Sequence, residues 1–160
     1  MAQVIADERS VVVKPWWVRV RIGFVGAGLG LIWWILTALL KNYIIEPLAC
    51  RDLSTATACV DSLGVAGSIA AVIVAVIGVF VLIRTLQPRP IIIAVASAVL
   101  LWSLGSYMNG LAWYETIFWA IALYAATYVL FGLIARIVWL PGAVITAIVT
   151  VLVIRILLTL

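Results

Sequence analysis

Five uncharged apolar runs occupy most of this 160-residue chain, and almost every charged residue lies between them. The runs cover residues 22–40, 64–83, 90–114, 116–135 and 137–154, and each contains at least 18 residues. Because an α-helix rises about 1.5 Å per residue, roughly 20 residues cross the ~30 Å hydrocarbon layer of a bilayer. The pattern therefore predicts an all-α membrane protein, an up-down bundle of five transmembrane helices.

The composition leaves little room for anything else. The chain is 68% hydrophobic and only 10% charged, whereas soluble domains carry about 25% charged residues. We predict one transmembrane domain over residues 1–160. It consists of a cytoplasmic N-terminus (1–21), an external loop (41–63) and spans at 22–40, 64–83, 90–109, 116–135 and 141–160. A four-span arrangement, with the last segment lying flat in the interface, is disfavoured because that segment has almost no polar face.

The basic residues between the runs predict how the chain is threaded. With a cytoplasmic N-terminus and five crossings, the inner side receives seven of the ten cations. The inner group is Arg9, Lys14, Arg19, Arg21, Arg84, Arg89 and Arg136, and the outer group is Lys41, Arg51 and Arg155. Because cytoplasmic loops carry the excess of Lys and Arg, this threading is favoured over its inverse. We expect a multi-pass protein of a bacterial inner membrane, with its N-terminus cytoplasmic and its C-terminus external.

Aromatic and basic residues mark the predicted interfaces between water and membrane. The predicted anchors are Trp16, Trp17, Arg19 and Arg21 before the first span, and Trp139 between the fourth and fifth. Indole rings favour the headgroup region, and long arginine side chains reach it from nearby helix positions. By the same reasoning, Arg155 near the end of the fifth span is expected to reach the outer headgroups.

Small residues recur at helical spacing in two spans. Gly26 and Gly30 form a G-x-x-x-G pair in the first span, and Gly67, Ala71 and Ala75 form a ladder in the second. Such stripes let helix backbones approach closely in lipid. They predict either an interface with another subunit or packing within one chain, and a five-helix bundle favours the second because it must use some of these faces itself.

The external loop contains both cysteines of the chain, Cys50 and Cys59. On the oxidising side of the membrane, the simplest prediction is one disulfide bond. Closing so short a loop contributes about 2–3 kcal/mol of stability. Redox catalysis is disfavoured, because it usually requires a C-x-x-C pair with an activated thiolate.

The residues that usually carry catalysis are missing. The chain contains no histidine, and all six acidic residues lie at or beyond the ends of the spans. The sequence therefore predicts no catalytic residue, no metal site, no cofactor and no enzyme. Basic residues are scattered without interleaved stacking aromatics, so nucleic acid is not an expected partner.

Spans three and four carry mild polarity along one helical face, and Glu115 caps the pair at the predicted outer side. The candidate polar pocket consists of Asn109, Glu115, Thr116, Tyr124 and Thr127. These residues could line an outer vestibule or a lipid-headgroup pocket, or could form only interhelical hydrogen bonds of about 0.6 kcal/mol each. Adjacent helix positions point about 100° apart, so Trp33 and Trp34 cannot both face one neighbour. We expect one to pack inside and the other to meet lipid, a cofactor or another subunit.

Together these observations predict a non-enzymatic integral membrane subunit, an accessory or scaffold protein of a larger membrane complex. Its expected partners are membrane lipids and other integral membrane subunits, or further copies of the same chain. The alternative is a small homo-oligomeric channel, carrier or lipid-handling protein in which spans three and four line the path. A membrane redox protein that uses its two cysteines is the least favoured hypothesis.

Overall fold

The computed structural model describes residues 15–49, 62–85, 89–136 and 140–159, which are helical apart from short turns. Helix α1 spans Pro15–Leu40 and continues through a π-helical turn, Lys41–Ile45, into the short α2, Glu46–Ala49. The other helices are α3 (Ser62–Arg84), α4 (Pro90–Leu100), α5 (Leu104–Tyr107), α6 (Trp113–Ile134) and α7 (Leu140–Thr159). The prediction of an all-α chain is confirmed for these residues.

Four helical segments are long and apolar enough to cross a membrane. They are Arg19–Ile45, Ser62–Arg84, Pro90–Tyr107 and Trp113–Ile134, with 27, 23, 18 and 22 residues. The fifth apolar segment, Leu140–Ile156, is shorter. Large aliphatic and aromatic side chains are exposed along all five, as expected of a bundle whose solvent is lipid. The structure is thus consistent with a multi-pass membrane protein, and the fifth crossing remains a prediction.

The two glycines of α1 bring this helix into close contact with α6. A β-carbon on Gly26 would lie 2.7 Å from the carbonyl oxygen of Tyr124, and one on Gly30 would lie 2.6 Å from that of Ala120. Both distances are well below van der Waals contact, so only glycine fits. The G-x-x-x-G pair therefore packs against a helix of the same chain, and α1 makes its most extensive contacts with α6.

Helix α3 also packs against the buried face of α1. The indole N–H of Trp33 donates a 2.9 Å hydrogen bond to the carbonyl oxygen of Gly67. A β-carbon on Gly67 would lie 3.1 Å from the Trp33 ring and 3.2 Å from Gly105 in α5. Ala71, on the same stripe, is buried, and Ala75 is half-buried. The predicted ladder of the second span thus faces the interior over its first two members.

Gly78 tests the packing of the C-terminal half of α3. A β-carbon there would overlap the hydroxyl of Tyr128, while its next neighbours, Tyr128 Cζ and Leu29 Cδ1, would lie 3.4 and 3.3 Å away. We expect Gly78→Ala to lower the free energy of unfolding by about 1–3 kcal/mol through overpacking. Adding Tyr128→Phe should restore most of this loss, because it removes only the colliding oxygen. Thermal unfolding of the two single variants and the double variant in detergent measures the coupling, and additive losses would contradict the contact.

Span three is broken near its middle. Its first part, α4, begins directly after Arg89, which adopts a left-handed conformation, and has Pro90 in its first turn. The helix ends at Leu100, and Leu101–Ser103 form a turn before α5 begins. At this turn Gly105 meets the start of α3, where its β-carbon would lie 2.5 Å from the carbonyl oxygen of Leu63. The break thus lies where span three packs against the N-terminal end of α3.

Side chains from two other helices bond the carbonyl groups at this break. The Ser68 hydroxyl of α3 lies 3.2 Å from the carbonyl oxygen of Trp102, and Arg155 Nη2 of α7 donates a 2.7 Å hydrogen bond to that of Val99. Arg155 Nη1 also lies 3.3 Å from Ser103 Oγ. A backbone group without a partner is costly in an apolar medium, so a broken helix needs such donors. Arg155 therefore reaches into the bundle, where the sequence predicted that it would reach outer headgroups.

Candidate ligand-binding site

A cavity of about 290 Å³ lies at one end of the bundle. We call this end the Lys41 end. The C-terminus of α1, the N-terminus of α3 and the connection from α5 to α6 lie there. The cavity is partly open to the surface. Its lining consists of Trp33, Trp34, Thr37, Ala38, Lys41, Asn42, Leu63, Met108, Asn109, Gly110, Leu111, Trp113 and Thr116.

Helix α1 supplies one wall of the cavity. Its lining residues recur every three or four positions, from the tryptophan pair through Thr37 and Ala38 to Lys41 and Asn42, and this spacing places them on one helical face. The helix then widens into the π-helical turn, where the N–H of Glu46 donates to the carbonyl of Lys41. π-Helical turns inside α-helices often occur at functional sites. Here the turn keeps the lysine at the mouth of the cavity.

Thr37 is the unusual residue of this wall. Only 3% of its surface is exposed, and its hydroxyl has no hydrogen-bond partner among the described residues. A threonine within a helix commonly donates to a carbonyl one turn back. The other helical threonines whose side chains are described do so, namely Thr116, Thr127, Thr146 and Thr150, and so does Thr85 directly after α3. A buried hydroxyl without a partner costs about 1–3 kcal/mol, so the Thr37 hydroxyl is suited to a ligand that supplies one.

The segment from Met108 to Thr116 supplies the facing wall. Gly110 has a φ of 92°, a left-handed conformation that glycine adopts without strain, and it turns the chain from α5 towards α6. Met108 is buried at the base, whereas Asn109 and Trp113 are exposed at the rim. The Thr116 hydroxyl donates a 3.1 Å hydrogen bond to the carbonyl of Ala112, so its proton is already used.

The charge of the lining is positive. Lys41 is the only charged residue among those that line the cavity. Its ammonium group lies 3.7 Å from a carboxylate oxygen of Glu46, and both side chains are partly exposed to solvent. An ion pair this exposed contributes little and leaves the ammonium free to donate to another group. Within the described parts of the chain, no three His, Cys, Asp or Glu side chains are placed to hold a metal ion.

The structure separates the predicted polar pocket into two groups. Asn109 and Thr116 line the cavity, and the half-buried Glu115 lies beside it in the first turn of α6 without lining it. Tyr124 and Thr127 lie deeper in the core. The ring of Tyr124 is 6.0 Å from that of Trp33, and the Thr127 hydroxyl bonds carbonyls of its own helix. These two residues serve packing and do not reach the cavity.

The α1 residues of the cavity were missed from the sequence, although a signal for them was present. Lys41 and Thr37 are one helical turn apart, and Trp34 lies one turn further back, so the polar pair continues an aromatic face. Trp33 is buried and 1% exposed, while Trp34 is half-buried at the cavity wall. One ring of the pair, Trp33, thus packs inside as expected, both residues line the cavity, and contact of Trp34 with lipid, a cofactor or another subunit stays a prediction.

The remaining predicted sites fall elsewhere. Of the interface anchors, Trp16, Trp17, Arg19 and Arg21 are exposed at the start of α1, at the end of that helix opposite Lys41. Trp139 and both cysteines of the predicted disulfide, Cys50 and Cys59, lie outside the described residues.

A second concavity lies between α4 and α7. It has a volume of about 420 Å³, and its walls are aliphatic. The residues that line it include Ile91, Val95 and Val99 from α4 and Val144, Ile148 and Leu152 from α7. With no hydrogen-bonding side chain in its lining, this groove is suited to a lipid chain or to an apolar helix.

Comparison with known proteins assigns no relationship. The chain matches no family model, no curated protein and no solved structure.

Proposed function

We propose that this chain is a lipid-binding integral membrane protein that holds an amphipathic membrane lipid at its Lys41 end and catalyses no reaction. In this proposal five helices cross a bacterial inner membrane, the N-terminus is cytoplasmic, and the Lys41 end faces outwards. The seven-to-three distribution of cations from the sequence supports the orientation.

One observation carries the proposal: the cavity at the Lys41 end combines indole walls with a cation and an unpaired buried hydroxyl. Ligand sites are concavities with mostly apolar walls and a few convergent polar groups. This one lies where helix ends meet the headgroup layer in the proposed arrangement. A molecule with an apolar body and a polar head matches both parts of the lining. This supports the lipid-handling hypothesis above the other functions derived from the sequence.

The proposal predicts that filling the cavity displaces lipid. Ala38 lines the cavity, so Ala38→Phe places a ring in the lipid site; Ala126 is an exposed alanine of α6 away from it, so Ala126→Phe is the matched control. Native mass spectrometry of protein extracted in mild detergent should show a retained lipid on the original chain and on the Ala126 variant. The Ala38 variant should lose it. Equal retention by both variants would contradict a lipid site at the Lys41 end.

A second candidate function is the accessory subunit of a larger membrane complex. The groove between α4 and α7 favours this function, because its aliphatic walls could pack against a transmembrane helix of another subunit. The same mass spectra distinguish the two functions. A stoichiometric second protein that remains bound to all three chains supports the subunit hypothesis, and a chain that carries lipid alone supports the first proposal.

A further inference from the structure

We propose that the cavity at the Lys41 end selects a lipid with an anionic phosphate headgroup, with the Lys41 ammonium and the Thr37 hydroxyl as its donors. This inference rests on the proposed lipid-binding function and adds the chemical class of the ligand. It concerns the headgroup only, because the polar atoms of the cavity define the headgroup site.

The first reason is the Thr37 hydroxyl. Thr37 is 97% buried and lines the cavity, and its hydroxyl donates to no carbonyl of its own helix. Phosphate oxygens accept several hydrogen bonds and carry negative charge, and hydrogen bonds to a charged acceptor are roughly twice as strong as neutral ones. A phosphate group in the cavity would therefore satisfy an atom that the fold itself leaves without a partner.

The second reason is the position of Lys41 relative to Thr37. The two residues are four positions apart on α1, so their side chains project from one helical face towards one ligand. Lysine binds phosphate as a point charge with three donors. The amide groups of Asn42 and Asn109 also line the cavity and can donate to phosphate or to glycerol oxygens.

The third reason is the sign of the remaining lining. None of the described residues that line the cavity carries a carboxylate, and Glu46 lies outside the lining although it approaches Lys41. No carboxylate of the lining therefore repels a lipid phosphate. The three indole rings suit the lipid's glycerol and upper acyl carbons, which a free phosphate ion lacks.

The test compares two lipids and inorganic phosphate on the full-length chain. Phosphatidylglycerol, diacylglycerol and inorganic phosphate are titrated onto delipidated protein in detergent, and binding is followed by native mass spectrometry. We expect phosphatidylglycerol to bind about tenfold more tightly than diacylglycerol, which lacks the phosphate, as one added charge-assisted hydrogen bond implies. Inorganic phosphate should neither bind measurably nor compete.

Two variants remove one donor each. Lys41→Gln removes the charge, and Thr37→Val removes the hydroxyl while keeping the shape of the side chain. Each should weaken phosphatidylglycerol binding by about tenfold and leave diacylglycerol binding unchanged. Thr37→Val should also keep or raise the melting temperature of the lipid-free protein, because it removes an unsatisfied buried group. This second readout distinguishes a binding role from a structural one.

Thr116→Val is the matched control. Thr116 lines the same cavity, but its hydroxyl already donates to Ala112, so we expect its removal to leave the preference for phosphatidylglycerol unchanged. Arg84→Gln, at the far end of α3, is the charge control and should also have no effect on lipid preference.

The outcomes separate the headgroup inference from the function beneath it. Equal binding of the two lipids, insensitive to Lys41→Gln, would overturn the anionic headgroup while lipid loss in the Ala38 variant still supports the function. Lys41-dependent binding of inorganic phosphate without lipid would overturn a lipid as the source of the phosphate. Retained lipid in the Ala38 variant would overturn both proposals.

Discussion

Gly30→Leu is expected to separate α1 from α6 and to cause one of the two largest losses of stability that we predict for this chain. A β-carbon at this position would already meet the carbonyl oxygen of Ala120 at 2.6 Å and its carbon at 3.0 Å. These neighbours are backbone atoms of a long helix and cannot rotate away as a side chain could. We expect a loss of about 3 kcal/mol or more, which for a chain of this length is about 10 °C in melting temperature.

Gly28 provides the matched control for this prediction. It lies on the same helix, two residues before Gly30, and a β-carbon there would meet nothing within 4 Å. Gly28→Leu should therefore leave the melting temperature unchanged or raise it slightly, because leucine is the better helix former. Thermal unfolding of both variants in the same detergent, followed by circular dichroism, makes the comparison. Equal melting temperatures would show that the α1–α6 contact is not the one described.

Trp33→Ala is expected to have an effect of similar size for a different reason. Trp33 is among the largest fully buried side chains of the described core, it donates to Gly67, and its ring lies 6.0 Å from that of Tyr124. Its removal leaves a cavity between α1, α3 and α6, and the buried carbonyl oxygen of Gly67 loses the hydrogen bond from the indole. Replacing a buried tryptophan with alanine typically costs about 3–5 kcal/mol.

Trp34→Ala tests whether burial causes this loss. Trp34 is the next residue and has the same side chain, but it is only half-buried, so its removal takes less buried surface out of the core. We expect less than half of the loss seen at Trp33, again measured as a change in the melting temperature. A variant that is as unstable as Trp33→Ala would mean that the two rings have equivalent surroundings, contrary to the structure.

The helices could be predicted from the sequence because their signal is strong and local. Runs of about 20 uncharged residues have few alternatives in an apolar solvent, where every backbone group must be bonded within its own segment. Pro90 likewise predicted the start of α4, since proline fits the first turn of a helix. The break after Leu100 was not predictable in this way. It depends on Gly105 meeting the start of α3 and on donors from Ser68 and Arg155, which are distant in sequence.

The candidate site was predictable only in part, for a related reason. Asn109 and Thr116 were identified because polar residues stand out within apolar runs. Thr37 did not stand out, since the hydroxyl of a threonine in a helix usually donates to a backbone carbonyl one turn back. Lys41 was assigned to topology alone. Only the three-dimensional arrangement places the end of α1 opposite the α5–α6 connection and reveals that the Thr37 hydroxyl lacks a partner.

The hydrogen bonds at the break in span three have a consequence for biogenesis. Val99 is synthesised 56 residues before Arg155, the residue that donates to its carbonyl. Until α7 docks, the carbonyl oxygen of Val99 therefore has only the 3.5 Å hydrogen bond from the Trp102 N–H and lacks the shorter one from Arg155. It follows that the last helix completes the maturation of an earlier one. A nascent chain stalled before α7 would present the cell's quality-control proteases with an unfinished third span.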